Sequence, residues 1–286
     1  MRKRIFILGA IICLCFSLLI HINAAESYDQ QVQTYLDKAK AAMEKNDLYE
    51  AKKAFEDILA IEPRHFLANY NLGRICIAEG LFQKAVDYLT VAREVDEEKV
   101  KSDSNYKRNP DVLFLLGLAL QNLDKYNEAL VKYQFALTYG YIGNEIYYCM
   151  ALCYAKSGQK ESALKMGDKY LEEKGLIKET AFELVTLYTS AGYYLEASAI
   201  AQKINIPEIW HVFGEALVLK EQYEMALSPL NIAIEMKGDN DSARFALGYA
   251  YYELNKMDDA IQRGVKVEAK ESGLFRGAWL FICGGG

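Results

Sequence analysis

Histidine, proline and cationic side chains are all in short supply in this 286-residue chain, and each shortage removes a class of chemistry. The three histidines, His21, His65 and His211, are dispersed along the chain. No Cys, Asp or Glu spacing near them reads as a ligand set, so no metal or other cofactor is expected. The only glycine run is Gly284-Gly285-Gly286 at the end, where it opens no helix and makes no phosphate-cradling loop. No serine or cysteine nucleophile has a readable base partner, so an enzyme is not expected. Four prolines leave long stretches unbroken, and alanine, leucine, glutamate and lysine dominate those stretches, which is the composition of helices. Lys and Arg number 33 against 39 Asp and Glu, for a net charge of −6. Three of the positive charges, Arg2, Lys3 and Arg4, crowd the first four residues, so the rest of the chain is more acidic still. An acidic surface repels phosphate backbones, which excludes nucleic acid as an expected partner and favours a basic one. With 52% hydrophobic residues the chain has ample material for a packed core.

Long apolar runs are also rare: Ile5–Ile20 is the one of note, interrupted only by Gly9, Ala10 and Ser17. It follows the basic start and precedes Ile22-Asn23-Ala24-Ala25, so residues 1–25 read as a secretory signal peptide or as an N-terminal membrane anchor. The run is short for a span of about 20 residues, yet both readings stay open. Either places the remainder outside the cytoplasm, in a bacterial periplasm or cell envelope, with membrane contact only through this segment if it stays uncleaved. Cys13 and Cys15 follow no good lipidation motif. Of the other cysteines, Cys149 and Cys153 lie four apart on one expected helix, where disulfide geometry is poor. Cys76 falls on a core position, so these thiols are expected to behave as small buried hydrophobes.

From Gln31 onward the chain repeats. A short polar turn and then a helix with a fixed early alanine recur at Ala51, Ala85, Ala129, Ala163, Ala197, Ala226 and Ala260. Four of the six intervals are 34 residues. Twelve residues before the alanine, Gly73, Gly117, Gly214 and Gly248 recur, with Ala39 and Ala151 as the next smallest choice and Val185 as a departure. Trp210 precedes Gly214 by four, and small residues follow the alanine at Ala92, Ala136 and Ala233. On these residues the chain resembles the tetratricopeptide repeat family across about 32–272. The resemblance implies an all-α fold, a right-handed superhelical solenoid of seven antiparallel helix hairpins, with repeats starting near 32, 66, 110, 144, 178, 207 and 241. Close packing of antiparallel helices explains the small residues, and a lone hairpin cannot bury its apolar stripe, so one continuous array is expected. Residues 100–109 are polar and end before Pro110, which reads as an inter-repeat loop. Ile204-Asn205-Ile206-Pro207 shortens the fifth repeat. The apolar tail 273–286 replaces the polar cap that usually ends such arrays.

The same resemblance implies that the first helix of each hairpin lines a concave groove. Its fifth positions read Leu36, Tyr70, Phe114, Tyr148, Phe182, His211 and Phe245, with Tyr249 extending the column. Rigid rings give contact area at low entropic cost, which suits peptide capture. The second positions include Asp111, Glu145, Glu179 and Glu208. Rings beside carboxylates suggest a basic and apolar protein or peptide. Two plainer readings stand beside this one: the rings pack between neighbouring helices, and the acids favour helix N-termini. The expected function is an exported scaffold or adaptor for protein–protein interaction, with a small-molecule or substrate-binding component of an envelope transporter as the alternative. A carboxylate-clamp mode is not expected, because only Lys40 and Asn71 would suit it.

Overall fold

The computed structural model describes residues 28–237, 240–256 and 259. Residues 1–25, expected to be a signal peptide or anchor, Ala260 and the tail 273–286 therefore lie outside the described residues. Among the described residues all regular structure is α-helical. None of these helices is long and apolar enough to cross a membrane. The chain divides into two compact units between Cys153 and Tyr154.

The first unit holds α1 (28–44), α2 (Leu48–Ile61), α3 (Phe66–Ala78), α4 (Phe82–Ser102), α5 (Pro110–Asn122), α6 (Tyr126–Thr138) and most of α7 (Glu145–Lys156). From α2 to α6 each helix packs on the next, and α3 also packs on α5. Side-chain caps start three of them. Asp47 Oδ1 accepts from the Glu50 N–H, His65 Nδ1 from the Ala68 N–H, and Asn109 Oδ1 from the Asp111 N–H with Pro110 at the first helical position. Each satisfies an N–H that the helix itself leaves open.

The second unit holds α8 (Lys160–Lys174), α9 (Lys178–Ser190), α10 (Tyr194–Ile204), α11 (Pro207–Leu219), α12 (Tyr223–Met236) and α13 (Asp241–Glu253). Again each helix packs on the next, and α9, α11 and α13 also pack successively on one another. Odd-numbered helices are thus the first helices of hairpins in both units, and even-numbered ones the second.

The repeat positions form the seams. Ala51, Ala85, Ala129, Ala163, Ala197 and Ala226 are fully buried. A methyl group added at Gly73 would lie 2.5 Å from Leu89 Cγ, at Gly117 2.6 Å from Tyr133 Cε1, and at Gly214 2.5 Å from Leu230 Cγ. Each glycine makes room for a large residue sixteen positions later on the partner helix. Gly248 is buried on α13. Val185, the departure from small residues, precedes the equally buried Ala201 by the same sixteen positions, so bulk moves from one helix to the other.

A further repeat position escaped the sequence reading. Five residues before each alanine the backbone is left-handed: Asn46, Gly80, Asp124, Gly158, Gly192, Glu221 and Asn255 have φ between 55° and 81°. The following N–H reaches back to the last turn of the first helix, as in Leu81 N–H to Cys76 C=O at 2.8 Å and Gln222 N–H to Leu217 C=O at 2.9 Å. This closes the helix end and sets the hairpin turn.

The insertion differs from expectation. Residues 100–102 continue α4, so the connecting loop is 103–109 rather than 100–109. Glu97-Glu98-Lys99 are good helix formers, Lys99 and Lys101 suit the negative end of the helix dipole, and Val100 is half-buried. The loop is strapped back by the buried Asp96, which accepts from the Tyr106 hydroxyl at 2.8 Å and the Asn109 N–H at 3.1 Å. Burial and that hydrogen bond push the Tyr106 hydroxyl up to about 12.

Candidate functional site

In the first unit the candidate rings have unequal surroundings. Tyr70 on α3 is half-buried, stacks on Phe66 at 6.0 Å, and carries the Arg74 guanidinium 5.7 Å from its ring centre. Burial raises its hydroxyl pKa, Arg74 opposes the rise, and Asp111 of the next first helix adds to it. The Asp111 charge of the next repeat is therefore felt at the Tyr70 hydroxyl. Phe114 on α5 is packed, with 9% of its surface exposed, between Tyr141 at 4.4 Å and Tyr133 at 5.8 Å. Its place in the ring column is a core place, so it leaves the set of groove residues. The hydrophobic gain of burying a ring against two others outweighs display to solvent. Tyr148 on α7 is half-buried. Leu36 packs against the core of α1, α2 and α3.

Tyr141 was missed by the sequence reading because it lies between α6 and α7, outside the helical period. Its hydroxyl donates to Glu145 Oε1 at 2.6 Å, and burial raises its pKa well above the ordinary tyrosine value, with Glu145 and Asp111 adding to the rise. Tyr141 and Glu145 are thus joined by a hydrogen bond, and the Asp111 charge on α5 acts on both Tyr70 and Tyr141.

In the second unit the rings are more open. Phe182 on α9 is 48% exposed and Phe245 on α13 is 39% exposed, although each sits at the same register on packed first helices. Between them on α11, His211 Nε2 lies 2.8 Å from Glu215 Oε1, close but poorly aligned for a hydrogen bond. Tyr249 meets Tyr223 edge-on at 6.2 Å. Glu179 and Glu208 stand in the first turns of α9 and α11, as Asp111 and Glu145 do on α5 and α7. Glu208 is 3.5 Å from Lys178. Its own backbone N–H, and then Lys178, hold its carboxyl below the usual range. The acids therefore stabilise helix N-termini and at the same time line the first-helix face.

Among the described residues no cluster of His, Cys, Asp or Glu could hold a metal ion. Cys76, Cys149 and Cys153 are buried free thiols, and burial pushes Cys153 up to about 12, far from a reactive thiolate. The arrangement offers contact surface and fixed charge.

Comparison with known proteins agrees with this architecture. A family model described as Tetratricopeptide repeat matches residues 36–98 and 212–264. A TPR repeat-containing protein of Methanocaldococcus jannaschii is 23% identical over 263 residues, covering 86% of this chain. The chain spans only 43% of that relative's length. Among solved structures, a tetratricopeptide repeat protein from Parabacteroides merdae superposes with a TM-score of 0.57 at 17% identity, covering 87% of this chain and 98% of the other. The C-terminal part of a TPR repeat-containing protein from Cytophaga hutchinsonii gives 0.58 at 15% identity, covering 84% and 97%. At these identities the likeness shows the fold.

Proposed function

We propose, for a chain that belongs to the tetratricopeptide repeat family, that its first-helix faces capture a basic and apolar protein or peptide. The fold is a scaffold for protein–protein interaction; the chemistry of the partner is the added step. Carrying it is the half-exposure of Phe182 and Phe245 at one register of the packed helices α9 and α13. Exposed rings at a fixed spacing, with Glu179 on α9 and Glu208 on the intervening α11, match a ligand that alternates apolar and cationic groups. In the first unit Tyr70 on α3 and Asp111 on α5 stand at the same ring and acid positions, and the Asp111 charge acts on the Tyr70 hydroxyl.

Location is part of the proposal. The basic, apolar and small-residue order of 1–25 supports export to the cell envelope, by cleavage or by anchoring. Fractionation that finds the chain in the cytoplasm overturns that part alone. The capture reading is tested by Phe182→Ala combined with Phe245→Ala in the full chain. Capture of the partner from the protein's own cells and stability in urea are measured side by side. The expected outcome is capture lost with stability changed by less than about 1 kcal/mol, because exposed rings contribute little to folding. Capture intact with a loss of several kcal/mol would make the rings core residues.

A further inference from the structure

The first described hairpin, α1 and α2, carries a cleft of about 450 Å³ between its two helices. Its α1 wall holds Lys38, Ala41, Ala42 and Lys45, and its α2 wall holds Glu50, Lys53, Ala54 and Asp57, with the N-cap Asp47 at the head. Both walls follow one pattern. Residues 38, 41, 42 and 45, and residues 50, 53, 54 and 57, recur at i, i+3, i+4 and i+7, which is a single stripe of a helix. Alanine fills the middle of each stripe and charge stands at its ends. Ala42 and Ala54 belong to the core beneath, while Lys38, Ala41, Lys45, Glu50 and Lys53 are exposed.

The charges are segregated and unpaired. The α1 wall has two lysines and no acid, and the α2 wall has three acids and one lysine. Among the described residues none of Lys38, Lys45, Glu50, Lys53 and Asp57 makes an ion pair. Lys38 lies over the Tyr35 ring instead, 5.2 Å from its centre. Elsewhere the chain joins neighbouring repeats with such pairs. Lys52 Nζ reaches Glu79 Oε2 at 2.6 Å, Arg64 reaches Glu98 at 2.9 Å, and Lys160 reaches Glu196 at 2.8 Å. The cleft face of α1 and α2 carries the same residue types with no described repeat against it. It has the make-up of one half of such a joint.

We infer that this face is the contact between two copies of the chain related by a two-fold axis, with α1 of each lying on α2 of the other. A two-fold contact must be self-complementary, and opposite charges on the two walls make it so. Lys38 and Lys45 then meet Glu50 and Asp57 of the partner subunit, and the reverse pairs form on the other side. The two lysines are seven residues apart and so are the two acids, about 10 Å along a helix in each case, so both pairs close in one register. The alanines between them let the helices approach closely. A ligand of one charge sign would match one wall and be repelled by the other, and a copy docked α1 on α1 would set lysine against lysine.

The test co-expresses two full-length copies with different tags, recovers one tag and reads the other, and measures the mass of the purified full chain by sedimentation. Wild-type copies are expected to co-purify and to sediment as a dimer. Lys38→Glu with Lys45→Glu makes both walls acidic, and Glu50→Lys with Asp57→Lys makes both walls basic. Each variant alone should associate at least about tenfold more weakly, because like charges then face each other twice. Mixing the two variants should restore association, since an acidic face then meets a basic one, and one chain with all four substitutions should pair with itself again. Circular dichroism checks that each variant keeps its helices, and Phe182→Ala with Phe245→Ala should leave association unchanged. The inference is overturned if wild-type copies stay monomeric, if either charge-reversed variant associates as well as the wild type, or if mixing the two variants restores nothing.

Discussion

Replacing Gly73 with valine crowds α3 against α4, and trimming Leu89 to alanine relieves that crowding. In the wild type a methyl group on Gly73 would sit 2.5 Å from Leu89 Cγ and 2.7 Å from its Cδ2, well inside contact distance. Gly73→Val alone therefore overpacks the seam and costs about 1–3 kcal/mol. Leu89→Ala alone leaves a cavity under a fully buried position and costs about 2–5 kcal/mol. If the two side chains share one volume, the double variant loses less than the sum, by at least about 1 kcal/mol of coupling. The fifth repeat already carries the swapped pair, Val185 with Ala201, both fully buried. Urea titration followed by circular dichroism supplies the four midpoints, with an unchanged slope showing that the unfolding unit is the same. Strict additivity of the two losses would refute the claim that bulk is exchanged across the hairpin seam.

Other perturbations follow from single residues. Glu221 holds a left-handed turn at φ 59° that glycine fills at Gly80, Gly158 and Gly192; Glu221→Gly should raise stability by about 1 kcal/mol, read as a higher urea midpoint. Asp96→Ala removes the acceptor shared by Tyr106 and Asn109; it should cost about 1–3 kcal/mol and speed amide exchange and proteolysis across 103–109 before any other segment. His65 caps α3 through a neutral Nδ1, and burial lowers its pKa below 6.5. A depressed folded pKa gives stability that is present above pH 6.5 and is lost as pH falls through the folded value, since the imidazolium can no longer accept. The urea midpoint should therefore drop on acidification below that point in the wild type and lose this component in His65→Asn, which keeps a capping acceptor.

Much of the fold was legible because it is written in spacing. A period of 34 residues with small side chains at fixed places has one compact physical solution, hairpins whose backbones approach at those places. What spacing could not show was compensation between helices: Val185 reads as a departure until Ala201 is seen sixteen residues on. Nor could it show the left-handed turn, because four residue types fill it and only glycine announces itself. The loop 100–109 was misjudged at its start, since Val100-Lys101-Ser102 adds less than a full turn of pattern of its own, and it is helical as the continuation of Glu97-Glu98-Lys99. For the candidate site, the register of the rings was readable but not their exposure. Phe114 and Phe182 occupy equivalent positions, yet one is packed beneath Tyr141 and the other is open. Tyr141 lies outside the helical period, and so periodicity carries no signal for it.

The central claim is that the open rings of α9 and α13 meet a partner. It is tested most directly by placing a photo-crosslinking amino acid at Phe182, at Phe245 and, as a control, at the exposed Glu161 of α8, in the full chain within its own cells. The account predicts that irradiation at Phe182 and Phe245 joins the chain to the same protein, one presenting a basic and apolar segment at the crosslink, with no such product from Glu161. Equal labelling from all three positions, or no product from Phe182 and Phe245, would contradict it.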